Sequence, residues 1–259
     1  MKLYLVRHGQ STGNVGETLM GQSQHPLTEL GEAQAAAAAA RLAPFGPMPV
    51  YHSDLLRAVA TAQHIVAAWG ADAGAAPDHP LLIPDARLRE IHLGEYEGAS
   101  WEKFEADEAL MAAFAEDSYG TVLPGGESLA HLADRVIAAV RDILAAHGMS
   151  DENELSTEAV ATSDASALAT GFHRPEPGAN ACIVAHDGPI RAILNHYLGV
   201  PPEKWWTLST THGGVSLLEF SGGWVNVRYV NAASHLAGLE PDVYVPSVDG
   251  PAADAGDDD

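Results

Sequence analysis

The sequence predicts an α/β fold: a three-layer α/β/α arrangement in which helices cover both faces of a mostly parallel central sheet. Apolar runs without polar alternation, at residues 3–6 and 181–185, are typical of central strands buried on both sides. Such runs alternate along the chain with longer stretches of helical spacing, as in α/β domains. Two further apolar runs, 215–220 and 224–230, flank the turn 221–223 and predict a β-hairpin.

Two helices are predicted in the first part of the chain after the opening strand. Thr28 is the expected N-cap of a helix over residues 32–42, whose many alanines favour helix formation. A short strand and cap at 49–54 leads to a second helix over 55–69. This helix places Arg57 in its first turn.

The middle of the chain combines loops with further helices. Residues 71–80 are small, polar and interrupted by Pro and Gly, which predicts a loop before a short strand at 81–83. Residues 87–98 contain paired glycines and several carboxylates with little helical periodicity, which is typical of a loop that positions side chains. Helices are predicted over 101–116 and 129–147.

The last third of the chain repeats the design of the opening: an apolar strand, a His, a Gly and a helix. The strand at 181–185 leads through His186 into a helix that runs to residue 198. Before it, residues 148–180 are rich in acids and small polar residues, which predicts a solvated insertion. We expect one domain over 1–240 and a loosely ordered, acidic, Pro-containing tail over 241–259.

Composition limits the classes of partner. The 259 residues carry a formal net charge of −22 and only 13 Lys and Arg, which argues against nucleic acid or an anionic membrane as partner. An anionic substrate would need a local cluster of Arg and His. The single cysteine, Cys182, lies in a predicted buried strand and is interpreted as a structural thiol. With no signal-peptide pattern and no long apolar run, we expect a cytoplasmic protein.

Such a cluster is predicted at the carboxyl edge of the sheet. Strands that end at Arg7-His8 and at His186 can be neighbours, and ligands of open α/β sheets bind at this edge. Together with Arg57, the cluster suits a phosphoryl dianion, because a guanidinium binds two oxygens at once. A neutral His is a competent nucleophile toward phosphorus, and Glu90 could supply the proton that an alkoxide leaving group needs.

The motifs along the chain resemble those of the histidine phosphatase superfamily, the phosphoglycerate mutase-like group. The first motif is Leu5-Val6-Arg7-His8-Gly9-Gln10-Ser11, followed by Asn14. The other matching segments are 26–31, 53–58, 88–90, 94–98, 124–128 and 184–188. They occur in the family's order and span most of residues 3–236, so the set is far more specific than a lone Arg-His-Gly.

The resemblance implies a role for each residue of the cluster. It makes His8 the phosphorylated nucleophile and Glu90 the proton donor and acceptor. Arg7, Arg57 and His186 would form the phosphate pocket. The implied fold is the phosphoglycerate mutase-like α/β/α sandwich.

Further residues are implied at the substrate entrance. Asn14, Gly21 and Gln22 would line it. Asp187, which stands at the pocket rim where the family often has Gly, is also expected to bind substrate. The mechanism requires no metal and no cofactor. The expected partner is a small-molecule phosphate ester, and a homodimer is left open.

Several residues have alternative interpretations. Glu95, Glu97 and Glu127 have similar motif contexts and could exchange roles with Glu90, while His92 is interpreted as a neighbouring polar residue. The remaining histidines are interpreted as structural or solvated: His25, His52, His64, His79, His131, His147, His173, His196, His212 and His235.

The predicted function is hydrolysis of a phosphomonoester. The rival is a mutase, in which a second substrate hydroxyl takes the phosphoryl group from His8. Residues 91–98 resemble the phosphatase branch and lack the aromatic-Gly-aliphatic version typical of mutases. A non-catalytic phosphate-binding module ranks third, because all the expected catalytic groups are present.

Overall fold

The computed structural model describes residues 1–16, 18–70, 79–149, 180–221 and 224–239. Within these residues the strands are β1 (Lys2–Arg7), β2 (Val50–His52), β3 (Leu82–Pro84), β4 (Asn180–Ala185), β5 (Val215–Ser221) and β6 (Trp224–Ala232). The helices are α1 (Glu29–Leu42), α2 (Leu56–Ala67), α3 (Trp101–Glu105), α4 (Glu108–Glu116), α5 (Leu129–Ala146) and α6 (Asp187–Leu198).

The strands form one six-stranded sheet in the order β3-β2-β4-β1-β5-β6. The first four strands of this order run parallel to one another, while β5 is antiparallel to β1 and to β6. The mostly parallel sheet predicted from the sequence is therefore confirmed, and so is the antiparallel pairing of the two last strands.

Side chains of β1 show why the sheet is covered on both faces. Leu3 and Leu5 are buried against α5 and α6, whereas Tyr4 and Val6 point the other way and pack with α1 and α2. Successive residues of a strand face opposite sides, so an apolar strand needs a helical layer on each side. This confirms the three-layer α/β/α arrangement.

Most of the predicted elements agree with the structure to within a few residues, and the helical stretch predicted over 101–116 is divided into two helices. The Thr28 side chain caps α1 by accepting from Gly31 N, as predicted. The helical stretch is interrupted after Glu105, because the Asp107 side chain accepts from Leu110 N and begins α4 as a new helix. Asp favours this N-cap role over a helix interior.

Some predictions fall outside the described residues. These are most of the loop at 71–80 and of the insertion at 148–180, the two glycines of the hairpin turn and the tail at 241–259. Among the helices that are described, none has both the length and the apolar character that crossing a bilayer requires.

Candidate active site

A pair of buried histidines lies at the ends of two neighbouring parallel strands. β1 and β4 pair with Arg7 opposite Ala185, so the residues that follow, His8 and His186, are side by side. Their ring centroids are 4.9 Å apart, in an edge-on arrangement. His8 is 3% exposed and His186 is fully buried. The predicted juxtaposition of the two strand ends is therefore what the sheet produces.

Arg57 joins the two histidines. From the first turn of α2, its Nε–H is directed at His8 Nε2 and at His186 Nδ1, each 3.2 Å away. The other guanidinium nitrogens donate to the carbonyl oxygens of Ser23, at 2.9 Å, and Gly21, at 2.8 Å. Burial lowers the pKa of Arg57 to about 10, which still leaves the side chain charged at neutral pH. The result is a fixed cation between two imidazoles.

The hydrogen bonds assign opposite tautomers to the two rings. His8 Nδ1 lies 2.6 Å from the carbonyl oxygen of Gly9, to which it donates, so Nε2 carries the lone pair that faces Arg57. His186 Nδ1 faces the same Arg57 N–H and must carry the lone pair, so Nε2 carries the proton and donates to Ser53 Oγ at 2.8 Å. Burial, followed by the charge of Arg57, holds the pKa of both histidines well below the usual range. Both rings are therefore neutral.

Arg7 is oriented by a chain of polar contacts that starts on α6. Arg7 Nη1 donates to the carbonyl oxygen of Thr210, and Thr210 Oγ1 donates to Asp187 at 2.7 Å. Asp187 is also paired with Arg191 at 2.5 Å, and the Arg191 guanidinium lies over the ring of Trp206. Burial disfavours the Asp187 anion, but Arg7 and Arg191 hold the pKa of that carboxyl below its usual range. Asp187 thus positions an arginine of the pocket.

Glu90 extends the cluster on the α6 side. Its carboxylate oxygens accept from the backbone N–H groups of Ile91, at 2.8 Å, and Gly188, at 3.2 Å. A Cβ added at Gly188 would lie 2.2 Å from Glu90 Oε1, so only glycine lets the carboxylate approach the turn after His186. Burial, with a further contribution from the nearby Asp187 charge, raises the pKa of Glu90. A raised pKa suits a proton donor near neutral pH.

The three carboxylates that could have exchanged roles with Glu90 have other contacts. Glu97 accepts from the backbone N–H groups of residues 21–22 and fixes that loop. Glu127 is paired with Arg135 at 2.5 Å, and Glu95 is exposed to solvent. Among these carboxylates, Glu90 is the one that contacts the turn after β4.

The residues predicted at the entrance support the pocket through their backbone and amide groups. Asn14 Oδ1 accepts from the backbone and hydroxyl of Ser11, at 2.9 and 2.8 Å, and holds the loop after His8. Gln22 Nε2 donates to the carbonyl oxygen of Glu90 at 3.1 Å, which links the two loops. Contact of Asn14, Gly21, Gln22 or Asp187 with substrate stays a prediction.

One site residue was missed by the sequence analysis, which interpreted His212 as structural or solvated. Its ring is 2% exposed and lies 5.2 Å from the His8 ring, centroid to centroid. β5 runs antiparallel to β1 with Val215 opposite Val6, so the turn before β5 meets the end of β1. In the sequence, His212 is a histidine in the turn before an apolar run. This pattern indicates a site residue only when the strand that follows, β5, is known to pair with β1.

Comparison with known proteins identifies the family of the chain. The model of the histidine phosphatase superfamily (branch 1) matches residues 3–155 and 156–233. The chain belongs to this superfamily. Within it, the chain is 32% identical over 236 residues to a glucosyl-3-phosphoglycerate phosphatase of Mycolicibacterium vanbaalenii, covering 90% of this chain and 84% of that protein.

The chain is also similar to a relative that is named as a mutase and to a solved phosphatase structure. The chain is 33% identical over 243 residues to a probable phosphoglycerate mutase, GpmB, of Salmonella paratyphi C, covering 91% of this chain and 95% of that protein. It also resembles a mycobacterial glucosyl-3-phosphoglycerate phosphatase solved in complex with inorganic phosphate, with a TM-score of 0.63 and 29% identity. That match covers 90% of this chain and 98% of the other.

Proposed function

We propose that the protein is a phosphomonoester hydrolase that acts on a small phosphorylated metabolite through a phosphohistidine at His8. The observation that carries this proposal is the arrangement of the His8 ring. Its Nδ1–H is anchored on the carbonyl oxygen of Gly9, and its Nε2 lone pair faces the cation of Arg57. A nitrogen nucleophile is thereby held next to a group that attracts a phosphoryl dianion.

The first step transfers the phosphoryl group from substrate to enzyme. A bound dianion is a stronger hydrogen-bond acceptor than an imidazole nitrogen, so the Arg57 Nε–H turns to a phosphoryl oxygen and frees His8 Nε2. His8 Nε2 then forms a bond to phosphorus while the bond from phosphorus to the ester oxygen breaks. Glu90 gives its proton to the departing oxygen, because an alkoxide is a poor leaving group.

The second step returns the enzyme to its starting state. Glu90, now a carboxylate, takes a proton from a water molecule, and the water oxygen attacks phosphorus. The bond from phosphorus to His8 Nε2 breaks, inorganic phosphate leaves, and the electron pair returns to the neutral imidazole. Arg7 and Arg57 stabilise the charge on the phosphoryl oxygens in both steps.

His186 has a supporting role in this scheme. A phosphoryl dianion next to its ring favours the protonated form, because an opposite charge raises the pKa of an imidazole. Nδ1 then becomes a donor to a phosphoryl oxygen, while the Nε2–H of His186 keeps its hydrogen bond to Ser53 Oγ. His186 therefore acts as a charge-dependent donor, whereas His8 acts as the nucleophile.

The net charge of the chain makes local cations necessary in a site for an anionic substrate. A net charge of −22 repels an anionic substrate at long range, and salt screens this repulsion beyond about 10 Å. Inside the pocket, the buried guanidiniums of Arg7 and Arg57 are 8% and 1% exposed and act over short distances. The local cluster supports a site built for phosphate within an acidic protein.

The substrate class is tested by a panel of phosphate esters. We expect purified enzyme to release inorganic phosphate from p-nitrophenyl phosphate and from at least one of glucosyl-3-phosphoglycerate, phosphoglycerate, sugar phosphates and nucleotides. The mycobacterial relatives, named for glucosyl-3-phosphoglycerate, make that ester the first to test. Isomerisation of a phosphoglycerate without release of phosphate would instead assign the mutase reaction, which the name of the Salmonella relative suggests.

A further inference from the structure

A turn next to the nucleophile presents a third imidazole to the pocket. His212 precedes Gly213, whose N–H bonds the carbonyl oxygens of Arg7, at 3.0 Å, and His8, at 3.3 Å. In return, Arg7 N donates to the carbonyl oxygen of Gly214 at 3.2 Å. Gly213 has a φ of +74°, a left-handed conformation that glycine adopts more readily than other residues. The position of His212 is therefore tied to the backbone of the nucleophile.

The far side of the same turn is held by side chains. Asn231 Oδ1 accepts from Thr211 N at 2.8 Å, and its Nδ2 donates to Thr211 Oγ1 at 3.1 Å. His235 Nε2 donates to the carbonyl oxygen of Gly213 at 2.9 Å. Contacts from two elements thus fix the turn against β1. Such bracing is what a group that must be placed accurately needs.

The two imidazoles near His8 have different neighbours. His186 shares the Nε–H of Arg57 with His8. The turn that carries His212 is instead hydrogen-bonded to the backbone of Arg7 and His8. Burial, followed by the charge of Arg7, lowers the pKa of His212, in agreement with this position. His186 is therefore placed with Arg57, and His212 with Arg7.

We infer that His212 is a further substrate-binding residue, which completes the Arg7 side of the pocket by donating a hydrogen bond from its imidazole to the phosphoryl group. This inference rests on the proposed function, since it assigns a contact to the same phosphoryl group. The His212 ring lies 5.2 Å from the His8 ring, and its turn is hydrogen-bonded to the backbone of Arg7 and His8, so the imidazole is held close to the atoms that would receive the phosphoryl group. A phosphoryl dianion bound there can accept from this ring as well as from the arginines, because each of its oxygens accepts several hydrogen bonds.

The test separates the donor from the volume of the ring. His212→Asn retains an N–H donor, and His212→Leu and His212→Met retain apolar bulk without one. Each variant is compared with wild type in kcat and KM for p-nitrophenyl phosphate and in inhibition by orthovanadate. Thermal melting shows which variants are folded. Two apolar replacements are used so that the comparison can still be made if one of them misfolds.

We expect the folded apolar variants to lose on the order of tenfold to a hundredfold in kcat/KM and to need at least about tenfold more vanadate for half inhibition. The Asn variant should stay within about threefold of wild type on both measures. Unchanged vanadate inhibition in the folded apolar variants would overturn the inference. So would equal losses in the Asn and apolar variants, since these would assign His212 to packing alone.

The outcome for His212 is distinguishable from that for the proposed function. If wild-type enzyme releases no phosphate from any ester, the proposed function fails, whatever the variants do. Calorimetric titration with inorganic phosphate then compares wild type with the folded apolar variant directly. Weaker phosphate binding by at least about threefold in the variant would support the donor role, and equal binding would refute it.

Discussion

The turn that follows β1 and the turn that follows β4 each place a buried histidine within 3.2 Å of the Nε atom of Arg57. Before each turn, the strand is buried from its second residue onward and is mostly apolar, and burial and Arg57 lower the pKa of the histidine that follows it. Composition and burial therefore do not distinguish His8 from His186.

The partner of the second ring nitrogen does distinguish them. His8 donates from Nδ1 to the next backbone carbonyl, that of Gly9, which leaves Nε2 as acceptor. His186 donates from Nε2 to the hydroxyl of Ser53, on the loop after β2, which leaves Nδ1 as acceptor. Moreover, His186 is the N-cap of α6, a helix whose amino-terminal dipole favours anions. The proposal that His8 is the nucleophile and His186 the anion-binding group rests on this difference.

The largest effect is expected from His8→Ala. Without the nucleophile, release of phosphate from p-nitrophenyl phosphate should fall by about a thousandfold or more, because the two-step route is lost. The measurement is steady-state turnover at saturating substrate. Wild-type activity in this variant would contradict the assignment of His8.

His52→Ala is the matched control for that variant. His52 is also buried, at the end of β2, and its Nδ1 also lies 2.9 Å from the carbonyl oxygen of the next residue, Ser53. It has no described contact with Arg57. We expect the His52→Ala variant to form the phosphoenzyme. If both His52→Ala and His8→Ala failed to form it, the effect of His8→Ala would be assigned to packing.

The second largest effect is expected from His186→Ala. Removing one donor to the transition state should lower kcat/KM by about a hundredfold to a thousandfold, while the phosphoenzyme still forms slowly at His8. Rapid-quench measurement of phosphoenzyme formation checks this directly. If the phosphoryl group instead failed to appear in His186→Ala but appeared in His8→Ala, the two roles would be exchanged.

Glu90→Gln tests the proposed proton donor, which contacts the turn after β4 through Gly188 N. Hydrolysis of an alkyl phosphate should fall by about a hundredfold or more, whereas an aryl phosphate, whose leaving group needs less protonation, should lose less. The ratio of the two rates in wild type and variant is the measurement. Equal losses for both esters would remove Glu90 from the role of general acid.

The pH dependence follows from the same residue. The donor must be protonated, and burial raises the pKa of Glu90, so kcat/KM for alkyl esters should decline as the pH rises through that raised pKa. Because the pKa of His8 is lowered, its neutral form persists well below pH 6.5 and adds no decline there. Glu90→Gln should lose the basic decline, while ionisation of the substrate affects both proteins equally.

The smallest effect is expected from Asp187→Asn. This change removes the charge that pairs with Arg191 but retains an oxygen to accept from Thr210, whose carbonyl orients Arg7. We expect KM for p-nitrophenyl phosphate to rise by about threefold to tenfold with kcat less affected, since Arg7 loses orientation rather than charge. A selective fall in kcat with KM unchanged would place Asp187 in the chemical step.

The sequence predicts the centre of the site well because that centre depends on strand ends. Two apolar runs that each end in a histidine meet at one edge of a parallel sheet, and Arg57 lies in the first turn of a helix that packs on it. Which carboxylate serves as acid is less predictable. It depends on long side chains such as Arg135, which pairs with Glu127 and binds the carbonyl oxygen of Glu90 at 2.9 Å.

The position of His212 next to His8 could not be predicted from the sequence, for a different physical reason. A hairpin signal predicts that β5 and β6 pair with each other, but it does not say which strand of the sheet they join. In the structure β5 pairs with β1, and only this order brings His212 to His8. In the same way, the break between α3 and α4 depends on Asp107 acting as an N-cap, and the apolar pattern alone does not predict this role.

The most direct test of the central claim is to trap the phosphoryl group on the enzyme. Wild-type protein mixed briefly with a phosphate ester and quenched in base should carry one phosphoryl group, labile to acid, on the peptide that contains His8. Because Nε2 is the atom that carries the lone pair, ³¹P NMR should assign the bond to that nitrogen. Turnover without any phosphoenzyme, or a phosphoryl group found on His186, would contradict the account.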